Sequence, residues 1–146
     1  MRSIVLAAAA VLAFSSQVPV MASECPTVVT AAALSAHAGA SVTACKQERE
    51  HGATRYEVKL ATGTGPIELD VSPEGKILLT EESVAVADVP RAVLAAFDAK
   101  HAGAQPTRAE KQTAGDGKVT YEIAFSVGSK KKESTFTAEG VLLEEE

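Results

Sequence analysis

No segment beyond the first 22 residues is apolar enough to hold this chain in a bilayer, so the processed product is expected to carry no membrane anchor. The signatures of nucleophilic, metallopeptidase and phosphate chemistry are missing as well: there is no Gly-x-Ser-x-Gly elbow, no His-Glu-x-x-His helix and no phosphate-cradling glycine loop. Nothing therefore marks a Ser, Cys or Thr beside an oriented base, and the reading is of a protein that is not an enzyme and needs no cofactor. Basic patches are scarce. The one basic run, Lys130-Lys131-Lys132, is followed by Glu133 and by the terminal Glu144, Glu145 and Glu146, in a chain of formal net charge -5. That balance cannot neutralise several phosphates, so nucleic acid is not an expected partner.

What is present begins with an export signal. Arg2 precedes an unbroken apolar run over residues 4–14, and a short polar, proline-containing stretch leads to small or compact residues at Val20 and Ala22. The run suits a secretory h-region and is too short to span a bilayer, so residues 1–22 are expected to form a cleaved signal peptide. Lipidation at Cys25 is disfavoured by Glu24, because lipoprotein processing wants a small residue before the cysteine. The chain has two cysteines, and in an oxidising compartment a Cys25–Cys45 disulfide is the default over two free or metal-binding thiols. A helix over 26–37 followed by a returning strand would bring Cys45 level with Cys25, and closing such a loop contributes about 3 kcal/mol.

Sliding the sequence against itself by 64 or 65 positions aligns an ordered series of features. Pro26 falls on Pro90, Val29 on Val93, His37-Ala38-Gly39-Ala40 on His101-Ala102-Gly103-Ala104, Tyr56-Glu57-Val58 on Tyr121-Glu122-Ile123, and Glu74-Gly75 on Glu139-Gly140. Each stretch opens with a helix. In the second, Asp88 is the expected N-cap, Val89, Ala92, Val93, Ala96 and Phe97 recur on one helical face, and Gly103 ends the helix. The first has Val28, Val29, Ala32 and Ala33 in the matching places, with Ala33 where the second has Phe97.

Beyond each helix the period changes to two, as in Tyr56, Val58, Leu60 and in Val119, Tyr121, Ile123, Phe125, Val127. Turn signals divide the strands near 41–49, 53–62, 66–72 and 77–82, then 105–113, 117–127, 131–138 and 141–146. A two-residue turn at Glu139-Gly140 would pair Phe136 with Leu143, and a three-residue turn in the first stretch would pair Val71 with Leu79. The first strand of each stretch alternates poorly and reads as an edge strand. The fold class expected is α+β: two tandem units, each a helix packed on an antiparallel sheet of about four strands, with continuation of the two sheets into one curved sheet as a variant.

Tyr121-Glu122-Ile123, a polar hairpin, then Phe136-Thr137-Ala138-Glu139-Gly140-Val141-Leu142, preceded by the helix ending His101-Ala102-Gly103-Ala104, resemble the PepSY-like family, also called β-lactamase-inhibitor-like. The resemblance covers essentially all of the chain after the leader and divides it into a first PepSY-like unit over 23–84 and a second over 85–146. It implies a helix on an antiparallel sheet, a life outside the cytoplasm, and binding or inhibition of another protein through the sheet and its loops. It brings no catalytic residues.

His37 and His101 sit at helix ends, where a cation suits the helix dipole, and neither has the i+4 partner of a metal-binding helix. His51, beside Gly52 in a turn, is uninformative. The acidic pairs and runs, Glu81-Glu82 and Glu144, Glu145 and Glu146, read as solvated strand ends in preference to a divalent-cation site. The candidate protein-binding face is the polar side of the strands, carrying Arg55, Glu57, Lys59, Glu68, Asp70, Glu122 and Thr135. The expected function is an exported, periplasmic or secreted binding module that engages another extracytoplasmic protein, a peptidase or hydrolase. The alternative is a periplasmic small-ligand or metal-binding sensor.

Overall fold

Period-two alternation needs a cover for its apolar side, and here that cover is supplied by two short helices lying on one side of a single sheet. The computed structural model describes residues 25–50 and 52–146, without the side chain of Glu50. The expected signal peptide and His51 lie outside the described residues. Helix α1 (Thr27–Ala36) leads into β1 (Ser41–Glu50), β2 (Ala53–Thr62), β3 (Gly65–Val71) and β4 (Ile77–Val84). A 3-10 turn at Val86–Asp88 and helix α2 (Arg91–Lys100) then precede β5 (Pro106–Ala114), β6 (Val119–Val127), β7 (Lys130–Thr137) and β8 (Leu142–Glu145). No described helix is long and apolar enough to cross a membrane.

All eight strands belong to one antiparallel sheet in the order of the chain, β1 to β8. This corrects the expectation of two tandem helix-on-sheet units: the molecule is mostly β, with two ten-residue helices against one eight-stranded sheet. The joining ladder runs from Leu79↔Ala114 to Val84↔Ala109, between β4 and β5. It arises because two four-stranded sheets would each leave an extra row of unpaired N–H and C=O groups, which β4 and β5 satisfy in each other. The edge-strand reading of the segment after the second helix is overturned by the same ladder, since β5 is paired on both sides.

Two groups of buried side chains lie on the helix-bearing side. Val29 and Ala33 of α1 pack on Val58, Leu60, Ile67, Leu69 and Val71. Val89 together with Val93 and Phe97 of α2 packs on Ala109, Ile123, Phe125 and Phe136. Each fully buried Val, Leu, Ile or Phe among them contributes roughly 1.5–3 kcal/mol. The expected Asp88 cap is displaced: Asp88 closes the 3-10 turn, and Pro90 is the N-cap of α2. His37 and His101 are the C-caps of the two helices, as their helix-end placement predicted.

Two hairpin registers also differ from expectation. Phe136 pairs with Leu142, not Leu143, and Val71 pairs with Ile77, not Leu79. The reason is a bulge beside each turn, with Gly140 at φ +87° and Gly75 at φ +86° supplying the left-handed residue that such a turn requires. Cys25 and Cys45 form a disulfide with a Cα–Cα separation of 5.8 Å, tying the start of α1 to β1 across 20 residues.

Candidate functional site

Because residues on one strand alternate between faces, fixing the core side fixes the other. Val58 and Leu60 point to the helices, so Arg55, Glu57 and Lys59 take the opposite side of β2. Glu57 lies across from Asp70, and Lys59 across from Glu68, on β3. The ladder continues through Glu68↔Glu81 and Glu81↔Gln112, and through Glu110↔Glu122 and Glu122↔Thr135. The sheet thus brings all seven expected face residues, spread over β2, β3, β6 and β7, to one side, which is helix-free among the described residues.

Charge on that side is unevenly compensated. Over β1 to β3 the ions pair with one another: Arg55 contacts Asp70 at 2.8 Å and Glu48 at 3.1 Å, Lys59 contacts Glu68 at 2.9 Å and Glu57 at 3.3 Å, and Lys46 contacts Glu48 at 2.8 Å. The hydrogen bonds donated by Lys46 and Arg55 hold Glu48 below the usual carboxylate range, and those that Lys59 donates to Glu68 and Glu57 raise Lys59. Over β5 to β7 a single guanidinium, Arg108, serves Glu133 at 3.1 Å and Glu122 and Glu110 at 3.4 Å each. Among the described residues no basic nitrogen lies within ion-pair distance of Glu81.

Gln112 draws two of these carboxylates together. Its Nε2 donates to Glu81 Oε1 at 2.9 Å and to Glu122 Oε2 at 3.2 Å, while its Oε1 accepts from Thr120 Oγ1 at 3.1 Å. Burial, with the repulsion of Glu133, Glu110 and Glu81, pushes Glu122 up to about 7 against the opposing pull of Arg108. Burial and the charge of Glu110 also raise Glu81, against the Gln112 hydrogen bond. Above this group lies an open trough of about 540 Å³ whose polar walls are the carboxylates of Glu68, Glu81, Glu110 and Glu122, the cations Lys59 and Arg108, and Ser83.

No family model matches the chain, and no curated protein matches it. Solved structures share its fold. A DUF2874 family protein from Bacteroides uniformis matches with a TM-score of 0.71 at 14% identity, covering 84% of this chain and 89% of that one. A protein from Bacteroides eggerthii, provisionally described as periplasmic, gives 0.70 at 14% identity over 84% and 88% of the two chains. A BLIP-like protein from Bacteroides fragilis gives 0.63 at 20% identity over 82% and 83%. The chain has a BLIP-like fold. At these identities the likeness is one of fold, and it does not establish the PepSY-like membership or the tandem organisation read from the sequence.

The other candidates separate clearly in this BLIP-like frame. Ser134, 1% exposed, lies beneath α2, where His101 Nε2 is 3.0 Å from its Oγ and 3.7 Å from Glu145 Oε2. Hydroxyl and carboxylate face the same ring nitrogen, among the described residues no carboxylate meets the other one, and the serine is shut away from solvent. The ring itself packs on Phe125, with centroids 4.3 Å apart. Among the described residues no three His, Cys, Asp or Glu side chains are grouped so as to hold a metal ion.

Sequence reasoning missed Glu81, Arg108, Glu110 and Gln112 on the helix-free face. Glu81 was masked by its neighbour Glu82, which made the pair look like a solvated strand end. In β5 the sequence Arg108-Ala109-Glu110-Lys111-Gln112-Thr113 is polar at almost every position, so period two is hidden. One signal was available: Ala109, the lone apolar residue of that stretch, marks the covered side and places Arg108, Glu110 and Gln112 on the other.

Proposed function

We propose that this protein is an exported, non-enzymatic binding module of the cell envelope that binds, or inhibits, another extracytoplasmic protein, a peptidase or hydrolase, through the helix-free face of its sheet. The observation that carries the proposal is that face itself: Arg55, Glu57, Lys59, Glu68, Asp70, Glu122 and Thr135 stand on the side of an eight-stranded sheet opposite both described helices. At the usual strand spacing the face is about 34 Å across, wide enough for a standard interface of about 800 Å² per partner. Its side chains are held by mutual ion pairs and hydrogen bonds, so little conformational entropy remains to be lost on docking.

The provisional periplasmic description of one fold neighbour and the BLIP-like name of another support placing the chain in the periplasm, with protein binding as its role. The Cys25–Cys45 disulfide suits the same compartment. Kinship with PepSY-like modules belongs to the same proposal, supported by the quoted strand and hairpin residues. Substituting Arg55, Glu57 and Glu122 together with alanine is expected to abolish capture of the partner from a native envelope fraction. Unchanged capture by a folded triple variant would exclude this face.

A further inference from the structure

We infer that the occupant of the helix-free face is a protein loop that presents an arginine, seated across β3 to β6 with its guanidinium between Glu81, Glu110 and Glu122. The inference rests on the protein-binding reading above and specifies the chemistry of the partner.

The charges of this face divide it. Over β1 to β3 the cations Lys46, Arg55 and Lys59 already meet the carboxylates beside them, so a partner gains little there. Over β4 to β7, Arg108 is shared among Glu110, Glu122 and Glu133, and among the described residues Glu81 has only the Gln112 amide. A cation delivered from outside complements the trough, where the four carboxylates Glu68, Glu81, Glu110 and Glu122 outnumber the two cations Lys59 and Arg108.

The geometry favours a guanidinium over an ammonium. Gln112 Nε2 engages Glu81 Oε1 and Glu122 Oε2 and so holds the two carboxylates within reach of a single planar group, with Glu81 Oε2 unengaged among the described residues and Glu122 Oε1 shared with Arg108 Nη2 at 3.4 Å. A guanidinium offers five donors in a fixed fork that bridges neighbouring carboxylates, whereas an ammonium is a compact, strongly hydrated point charge. The trough of about 540 Å³ gives room for one such side chain and the loop that carries it.

A proton must leave when that cation arrives. Near neutrality Glu122 is partly protonated, owing to burial and to the charges of Glu133, Glu110 and Glu81 around it, with Arg108 opposing. A guanidinium favours the ionised form, so docking lowers the pKa of Glu122 and expels the proton.

The test is a nuclear magnetic resonance titration of the full chain with a disulfide-closed decapeptide carrying two arginines. The same peptide with citrulline, and with lysine, serves for comparison. The expected result is that the Gln112 side-chain amide signal shifts on saturation with the arginine peptide and that Glu122 titrates at least one pH unit lower. E81Q/E122Q should weaken binding at least tenfold, while D98N/E139Q, which removes as much charge elsewhere, changes it less than twofold. Thermal melts check that both variants remain folded. No shift at Gln112, equal binding of the citrulline or lysine peptide, or undiminished binding by folded E81Q/E122Q would overturn the inference. Any of these, combined with loss of envelope-partner capture in the Arg55, Glu57 and Glu122 triple variant, would leave the protein-contact reading standing without the arginine.

Discussion

Glu122 concentrates the electrostatic cost of the helix-free face. Its side chain is 18% exposed, its one cation is shared with two other carboxylates, and its pKa is pushed up to about 7. A carboxyl whose folded-state pKa lies above its unfolded value binds its proton more tightly when folded. Its contribution to stability is complete below about pH 4.5 and is lost as pH rises through about 7. E122Q removes the ionisation and keeps the shape. By chemical denaturation the variant is expected to be more stable than the parent by about 1–2 kcal/mol at pH 8 and equal to it at pH 4, a figure reduced from the full shift because the group is partly solvated. Equal stability at both pH values would show that Arg108 and Gln112 compensate the charge fully.

The hairpins and helices are coupled through glycine. At Gly140, φ is +87° and an added Cβ would come within 2.5 Å of the Ala92 carbonyl oxygen, so the β7–β8 turn is pressed against the first turn of α2. Gly103 has a similar φ of +82°, but open space where its Cβ would be. G103A should therefore cost only the backbone strain of a left-handed residue, about 1 kcal/mol, whereas G140A adds displacement of α2 and is expected to cost at least about 2 kcal/mol. Equal losses in urea denaturation would show that the turn and helix are not in firm contact.

Much at this level was legible in the sequence, because alternation and turn chemistry are local. The period-two residues of β2 and β6, the helix ends at His37 and His101 and the level placement of Cys25 and Cys45 can all be read within short windows. Registers were harder to read. The bulges at Thr135/Phe136 and Asp70/Val71 each move a pairing without altering the alternation that revealed the strand. The Asp88 cap failed for a different reason: Pro90, with an extended ψ of 138°, takes the N-cap position itself and the helix begins at Arg91, leaving Asp88 to the preceding turn.

The single sheet is what no local pattern could reveal. Whether β4 ends a unit or pairs onward depends on the polar backbone of β5, not on side chains in either strand, and β5 is polar enough on both faces to pass for an edge. That joining decides the surface, since it carries the line of opposed side chains from Glu68 through Glu81 and Gln112 to Thr120 and brings Glu81 to the amide that also holds Glu122. The seven face residues found from sequence were those on strands with plain alternation. The four that were missed sit on the two strands that meet in the middle.

The central claim is that partners meet this protein on the helix-free side of the joined sheet. Site-specific photocross-linking in the native envelope tests it most directly, with a photoreactive residue placed singly at Glu57, Glu81 or Thr135 on that side and at Arg91 or Asp98 on α2. A common adduct from the first three positions, and none from the two helix positions, is the predicted result. Adducts confined to Arg91 and Asp98 would contradict the claim.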